Sequence, residues 1–105
     1  MRPVPLTRLL AAALLSFPGF ALCATHVVKI EGMAFKPAAL TVKRGDVVVW
    51  ENADVVPHTV TEPGKFDSKT IAAGAKWSWK AVGTGRHDYV CTFHPGMKGT
   101  LVVGE

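Results

Sequence analysis

No stretch of the 105-residue chain carries the three-to-four-residue spacing of apolar side chains that marks a packed helix. That absence, together with the lack of any internal repeat or low-complexity segment, excludes helical bundles and repeat solenoids. Charge of one sign is never concentrated either. The lysines at 29, 36, 65, 69 and 76 are scattered singly and only Lys43-Arg44 are adjacent, the pattern of a solvated surface and not of a nucleic-acid-binding face. The longest uninterrupted apolar run, Leu9 to Leu15, falls far short of the ~20 residues that span a bilayer. Cysteine is scarce, with only Cys23 and Cys91.

What is present begins with a leader. Arg2 and Arg8 flank the apolar run, Ser16-Phe17-Pro18-Gly19 breaks it, and small residues follow from Ala21 to Ala24, the layout of a secretory signal peptide over residues 1–24. Cleavage fits after Cys23, with Ala21 at the small upstream position, or after Ala24. Leu22 is bulkier than a lipid-attachment signal at Cys23 tolerates. The leader predicts export to a periplasm, with no stable membrane insertion of the mature chain. Counted from Thr25, residues 25–105 form one domain of 81 residues, enough for a small sandwich with little core to spare. Without Arg2 and Arg8, ten basic residues face eight acidic ones, a net charge of +2 with neutral histidine. Removal of Cys23 also leaves Cys91 as a lone thiol in a compartment where thiols pair or oxidise, and a bound metal accounts for its survival.

The body alternates with period two. His26, Val28 and Ile30 share one face, Leu40 and Val42 point inward, and Lys76-Trp77-Ser78-Trp79-Lys80 sets two tryptophans on the inner face. Val47-Val48-Val49-Trp50 reads as a fully covered central strand. His58 and Val60 are expected on one face of their strand, with Thr59 and Thr61 on the other. Phe66 to Gly74 reads as loop and Met33 as core. Short strands punctuated by Gly and Pro turns predict an all-β fold, a Greek-key β-sandwich of seven to eight strands.

The chemistry lies in Cys91-Thr92-Phe93-His94-Pro95-Gly96-Met97, which spaces a thiol, an imidazole and a thioether three residues apart on a tight turn, with His58 as the missing partner. Two histidines, one cysteine and a weak methionine form the ligand set of a mononuclear type 1 copper site. Zinc would waste Met97. A Cys-His nucleophile needs an orienting third group that this turn lacks, so the chain is not expected to be an enzyme. The Cys-x-x-His-x-x-Met spacing resembles the cupredoxins, and among them the short ligand loop of amicyanin. The likeness runs from Phe35-Lys36-Pro37 through Arg44 to Trp50 and Pro57-His58 to the end.

That resemblance implies a blue electron-transfer protein that holds one copper ion, as Cu(I) or Cu(II), on His58, Cys91, His94 and Met97. It implies a monomer whose redox partner, a dehydrogenase, a cytochrome or a copper oxidoreductase, docks near the ring edge of His94, framed by Phe93, Pro95, Val55, Pro37 and Phe35. A periplasmic copper carrier is the alternative. Two departures from the family stand out. Thr59 occupies a position often filled by asparagine, so the clamp on the ligand loop must be a hydroxyl. Phe93 stands where proline is common, which predicts a second amide hydrogen bond to the Cys91 sulfur beside one from near Thr59. His87 is expected to be packed and hydrogen-bonded; His26 chelates metal only if cleavage follows Cys23.

Overall fold

In the computed structural model the residues described are 22–105, so most of the leader, residues 1–21, lies outside them. Among the described residues there are nine strands and no helix: β1 (Thr25–Ile30), β2 (Phe35–Lys36), β3 (Ala39–Lys43), β4 (Val47–Asn52), β5 (Thr61–Glu62), β6 (Phe66–Asp67), β7 (Lys76–Lys80), β8 (Gly85–Cys91) and β9 (His94–Gly104). Six are longer strands. The other three are two-residue pieces that sequence alternation cannot register, which is why nine appear where seven to eight were expected.

One sheet has the order β2-β1-β4-β7 and the other β3-β9-β8-β5-β6. The pairs β1–β4 and β3–β9 are parallel, and the remaining neighbours are antiparallel. Alternation decides which side chains meet between the layers. Val28 and Ile30 from β1 and Val48 and Trp50 from β4 pack toward Val42, Tyr89, Leu101 and Val103 of the second sheet, all buried. Trp50 lies at the centre, edge-on to Tyr89 at 5.5 Å, with its indole N–H donating to the Tyr89 hydroxyl at 3.2 Å. Burial pushes the Tyr89 phenol up, and the Trp50 hydrogen bond opposes that in part.

Three expectations are corrected. β4 is interior to its sheet, but only Val48, Trp50 and Asn52 are buried while Val47, Val49 and Glu51 alternate outward, because a two-layer sandwich covers one face of each sheet. Trp77 and Trp79 lie on the inner face as expected, half-buried and packed against the core. Phe66, read as loop, is buried between them at ring distances of 5.9 and 4.8 Å. Met33 is 43% exposed, not core. It follows Gly32 in a pair of left-handed residues, with φ of 62° and 66°, a conformation that turns successive amides to one side.

Candidate metal centre

β8 carries His87, Tyr89 and Cys91 on its inner face, and at Cys91 the chain reverses through Thr92 and Phe93 so that Cys91 pairs with His94 at the head of β9. The predicted ligand turn is therefore shorter than expected. His94 and Met97 both belong to β9, Met97 buried and His94 half-exposed. Gly99, two residues beyond Met97, lies where a Cβ would drive into the Tyr89 ring, so the absence of a side chain is what lets the two strands close here.

His58 arrives from the other direction. It is bridged to Ile71 by two backbone hydrogen bonds, His58 N–H to Ile71 C=O at 3.2 Å and Ile71 N–H to His58 C=O at 2.8 Å. Residues 58–61 do not alternate between a wet and a dry face: His58, Thr59, Val60 and Thr61 are all buried. The loop before them is fixed by Asn52, whose amide donates to the Val56 and Ile71 carbonyls at 2.9 Å each and whose oxygen accepts the Asp54 N–H at 2.9 Å.

At the centre, Cys91 Sγ is fully buried and faces His58 Nδ1 across 3.6 Å. The ring of His94 lies edge-on to that of His58, centroids 5.3 Å apart. The structure thus brings His58, Cys91 and His94 to one place, with Met97 buried in the strand that carries His94. Among the described residues, however, no three His, Cys, Asp or Glu side chains are gathered into a closed ligand group. Cys91 and His58 form the preassembled pair.

The orientation of His58 is set by a residue the sequence reading passed over. His58 Nε2 lies 2.8 Å from Asp54 Oδ2. The Asp54 carboxylate also accepts the Gly32 N–H at 2.7 Å and the Met33 N–H at 3.0 Å, the two amides presented by the left-handed pair. Burial pushes the Asp54 carboxyl up, but these amides and His58 outweigh it and hold it below the usual carboxylate range. An ionised carboxylate only accepts, so Nε2 donates the ring proton and Nδ1 presents its lone pair toward the sulfur. Nothing in the spacing of Asp54 to His58 marked it beyond an acidic residue in a turn.

The thiol is held from the segment that follows His58. The Thr59 N–H donates to Cys91 Sγ at 3.3 Å, and the Thr59 hydroxyl accepts the Thr92 N–H at 2.9 Å. Thr59 Oγ1 also lies 3.1 Å from Thr92 Oγ1 and accepts the Thr61 hydroxyl at 3.0 Å. The hydroxyl clamp expected in place of asparagine is therefore present. The second amide is not: among the described residues no hydrogen bond runs from Phe93 to the sulfur, since Thr92 and Phe93 occupy the reversal and its anchored amide is that of Thr92.

Around the site, Phe93 is 48% and Val55 92% exposed, while Pro95 is also exposed. Phe35, expected in the same frame, is instead buried edge-on against Tyr89 at 4.9 Å, because it lies on the inner face of β2. The remaining histidines are occupied. His87 Nδ1 meets Glu62 Oε1 at 2.6 Å, as expected of a packed histidine, and His26 Nε2 meets Asp46 Oδ2 at 2.9 Å.

A buried thiol and an imidazole lone pair facing each other, with a second imidazole and a thioether on the adjoining strand, suit a metal that tolerates soft sulfur and borderline nitrogen together, and copper is that metal. The family model for copper-binding proteins of the plastocyanin/azurin family matches residues 22–104, and the chain belongs to that family. It is thereby a cupredoxin, an electron carrier that binds one copper ion. It is 34% identical over 103 residues to amicyanin-alpha from Methylorubrum extorquens, covering 92% of this chain and 87% of that protein. Plastocyanin from a Synechococcus species is 34% identical over 115 residues, covering 90% and 82%. Among solved structures, the Cu(I) form of an amicyanin variant with a methionine replaced by alanine superposes with a TM-score of 0.72 at 30% identity, over 75% of this chain and 81% of that one.

Proposed function

We propose that this cupredoxin works in a bacterial-type periplasm, exported by its N-terminal leader, and passes single electrons between redox proteins from a mononuclear copper centre held by His58, Cys91, His94 and Met97. The observation that carries the site is the Cys91–His58 pair, with the sulfur buried, the ring proton of His58 committed to Asp54 and the Thr59 amide aimed at the sulfur. When bound, the copper supplies a one-electron couple between Cu(I) and Cu(II).

The protein's own groups do the rest. Asp54 fixes which nitrogen of His58 is free to ligate. The Thr59 amide hydrogen bond favours negative charge on sulfur and tunes the electron density there. The Thr59–Thr92 clamp ties the cysteine end of β8 to the histidine loop, which limits movement of the ligands when charge changes. His94 is the half-exposed member of the set, and its ring edge, with Val55, Phe93 and Pro95 around it, is the port at which a dehydrogenase, a cytochrome or a copper oxidoreductase docks briefly. A small apolar patch suits such short-lived contact between monomers.

Copper loading tests this reading. The electron carrier shows an intense thiolate-to-copper band in the visible and one reversible one-electron wave, and Cys91→Ser abolishes the band. A colourless protein that holds only cuprous ion and exchanges it readily supports the alternative, a periplasmic copper carrier. Colour that survives Cys91→Ser overturns the site assignment.

A further inference from the structure

At the end of β1 remote from the metal centre, Asp46 is only 5% exposed and, among the described residues, has no lysine or arginine side-chain partner in its hydrogen bonds. Its Oδ1 accepts the Ala24 N–H at 2.9 Å, and its Oδ2 accepts the Lys43 N–H at 3.0 Å and lies 2.9 Å from His26 Nε2. The Ala24 carbonyl in turn accepts the Val47 N–H at 2.9 Å, the first rung between β1 and the interior strand β4. Among the described residues upstream, the Cys23 sulfur lies beside Gly45. Leu22 is 91% exposed, Cys23 is exposed, and among the described residues neither forms a hydrogen bond. Among the described residues the hydrogen-bonded sandwich thus begins at the nitrogen of Ala24, and that nitrogen already rests on a carboxylate.

We propose that the leader is removed between Cys23 and Ala24 and that the α-ammonium so created forms an ion pair with Asp46. This rests on the export reading. Water is the co-reactant and a leader peptidase the catalyst. As the amide C–N bond breaks, the carbonyl carbon takes the hydroxyl, loses its acid proton to solvent and departs as the Cys23 carboxylate, while the nitrogen takes water's remaining proton and, at neutral pH, one more from solvent.

The Ala24 nitrogen donates to Asp46 before and after, so no rearrangement is needed, but afterwards it carries a positive charge beside this nearly buried carboxylate. Cleavage one residue later, after Ala24, removes both the donor to Oδ1 and the acceptor for the Val47 amide, leaving two polar groups of the sandwich short of a partner. Cleavage after Cys23 also leaves Cys91 as the sole thiol. A pocket of about 460 Å³ lined by Ala24, His26, Asp46 and Glu105 gives the ammonium room beside its carboxylate.

Expression of the full chain in a Gram-negative host, followed by intact-mass measurement and N-terminal sequencing of the periplasmic fraction, tests the cleavage. The expected product is Ala24–Glu105 with one thiol titratable after unfolding. A periplasmic chain starting at Thr25 or Cys23, lipidated or not, overturns the inference and leaves the export reading standing; an uncleaved chain kept in the cytoplasm overturns both. The ion pair is tested on Ala24–Glu105 made with a free and with an acetylated amine, which keeps the N–H and removes the charge. At pH 6 the free form is expected to melt roughly 4–8 °C higher, with the gap abolished by Asp46→Asn. Equal melting of the two forms overturns the ion pair.

Discussion

Asp54 shows how a residue outside the proposed ligand set can decide whether one of its members, His58, is competent to ligate. Its carboxylate gathers His58 and two consecutive amides, so removing it frees the ring to turn and to change tautomer. Partners of this kind contribute about 10–100-fold to metal affinity. Asp54→Ala is therefore expected to weaken copper binding by that order in a competition titration against a chelator of known affinity, whereas Asp54→Asn, which retains one acceptor oxygen, should lose less. Equal losses would show that charge alone matters there. Thr59 carries a second expectation. Thr59→Val keeps the shape and the backbone amide that donates to the sulfur, but strips the acceptor from the Thr92 N–H. This bond is only part-buried, and a typical hydrogen bond contributes about 0.5–1.5 kcal/mol. The variant should lose that much stability in denaturant titration while keeping its visible band, and loss of the band with unchanged stability would contradict the clamp.

At the scale of elements, the β8–β9 hairpin does the positioning. Cys91 and His94 are paired across its reversal, and Tyr89, two residues back on the same inner face, closes over Gly99. Any side chain at Gly99 must push the Tyr89 ring off Trp50 or spread the two strands. Gly99→Ala is expected to destabilise the protein by about 1–3 kcal/mol, the usual range for overpacking a core, and to broaden the copper band because Cys91 shifts with the strand. A Gly99→Ala, Tyr89→Phe double variant would separate ring from hydroxyl: the ring clash remains, so little stability should return.

For the whole molecule, Asp46 couples the two sheets' margins. Its neighbours Lys43 and Val47 flank the turn between β3 in one sheet and β4 in the other, while Ala24 and His26 begin β1. The Ala24 amide foremost, then the Lys43 amide and the His26 ring, lower the Asp46 carboxyl from 3.8 to about 2. A carboxyl depressed in the folded state contributes stability that is full above its unfolded pKa and lost as pH falls through the folded one. The melting temperature of the wild-type protein should accordingly fall between about pH 4 and pH 2 more steeply than that of Asp46→Asn, the two curves converging at the acid end. Parallel curves over that interval would contradict the assignment.

How much of this was legible beforehand follows from what each signal encodes. The period of two from His26 to Ile30 and from Lys76 to Lys80 is a local property of a half-buried strand, so the all-β sandwich could be read directly. The three-residue spacing of Cys91, His94 and Met97 is likewise local, and the resemblance to cupredoxins supplied His58. Side chains whose surroundings come from distant segments were not legible. Phe66 and Ile71 sit in irregular chain with no period to betray them, yet both are buried; Phe35 and Met33, two residues apart, exchanged their expected places because a left-handed pair at Gly32-Met33 turned one outward and left the other against Tyr89. Asp54, Asn52 and Asp46 looked like ordinary polar turn residues, and their partners lie up to 22 residues away in sequence. A sequence states which atoms can donate, accept or ligate. Which of them are deprived of water, and therefore compelled to find one another, was decided only when the two sheets closed.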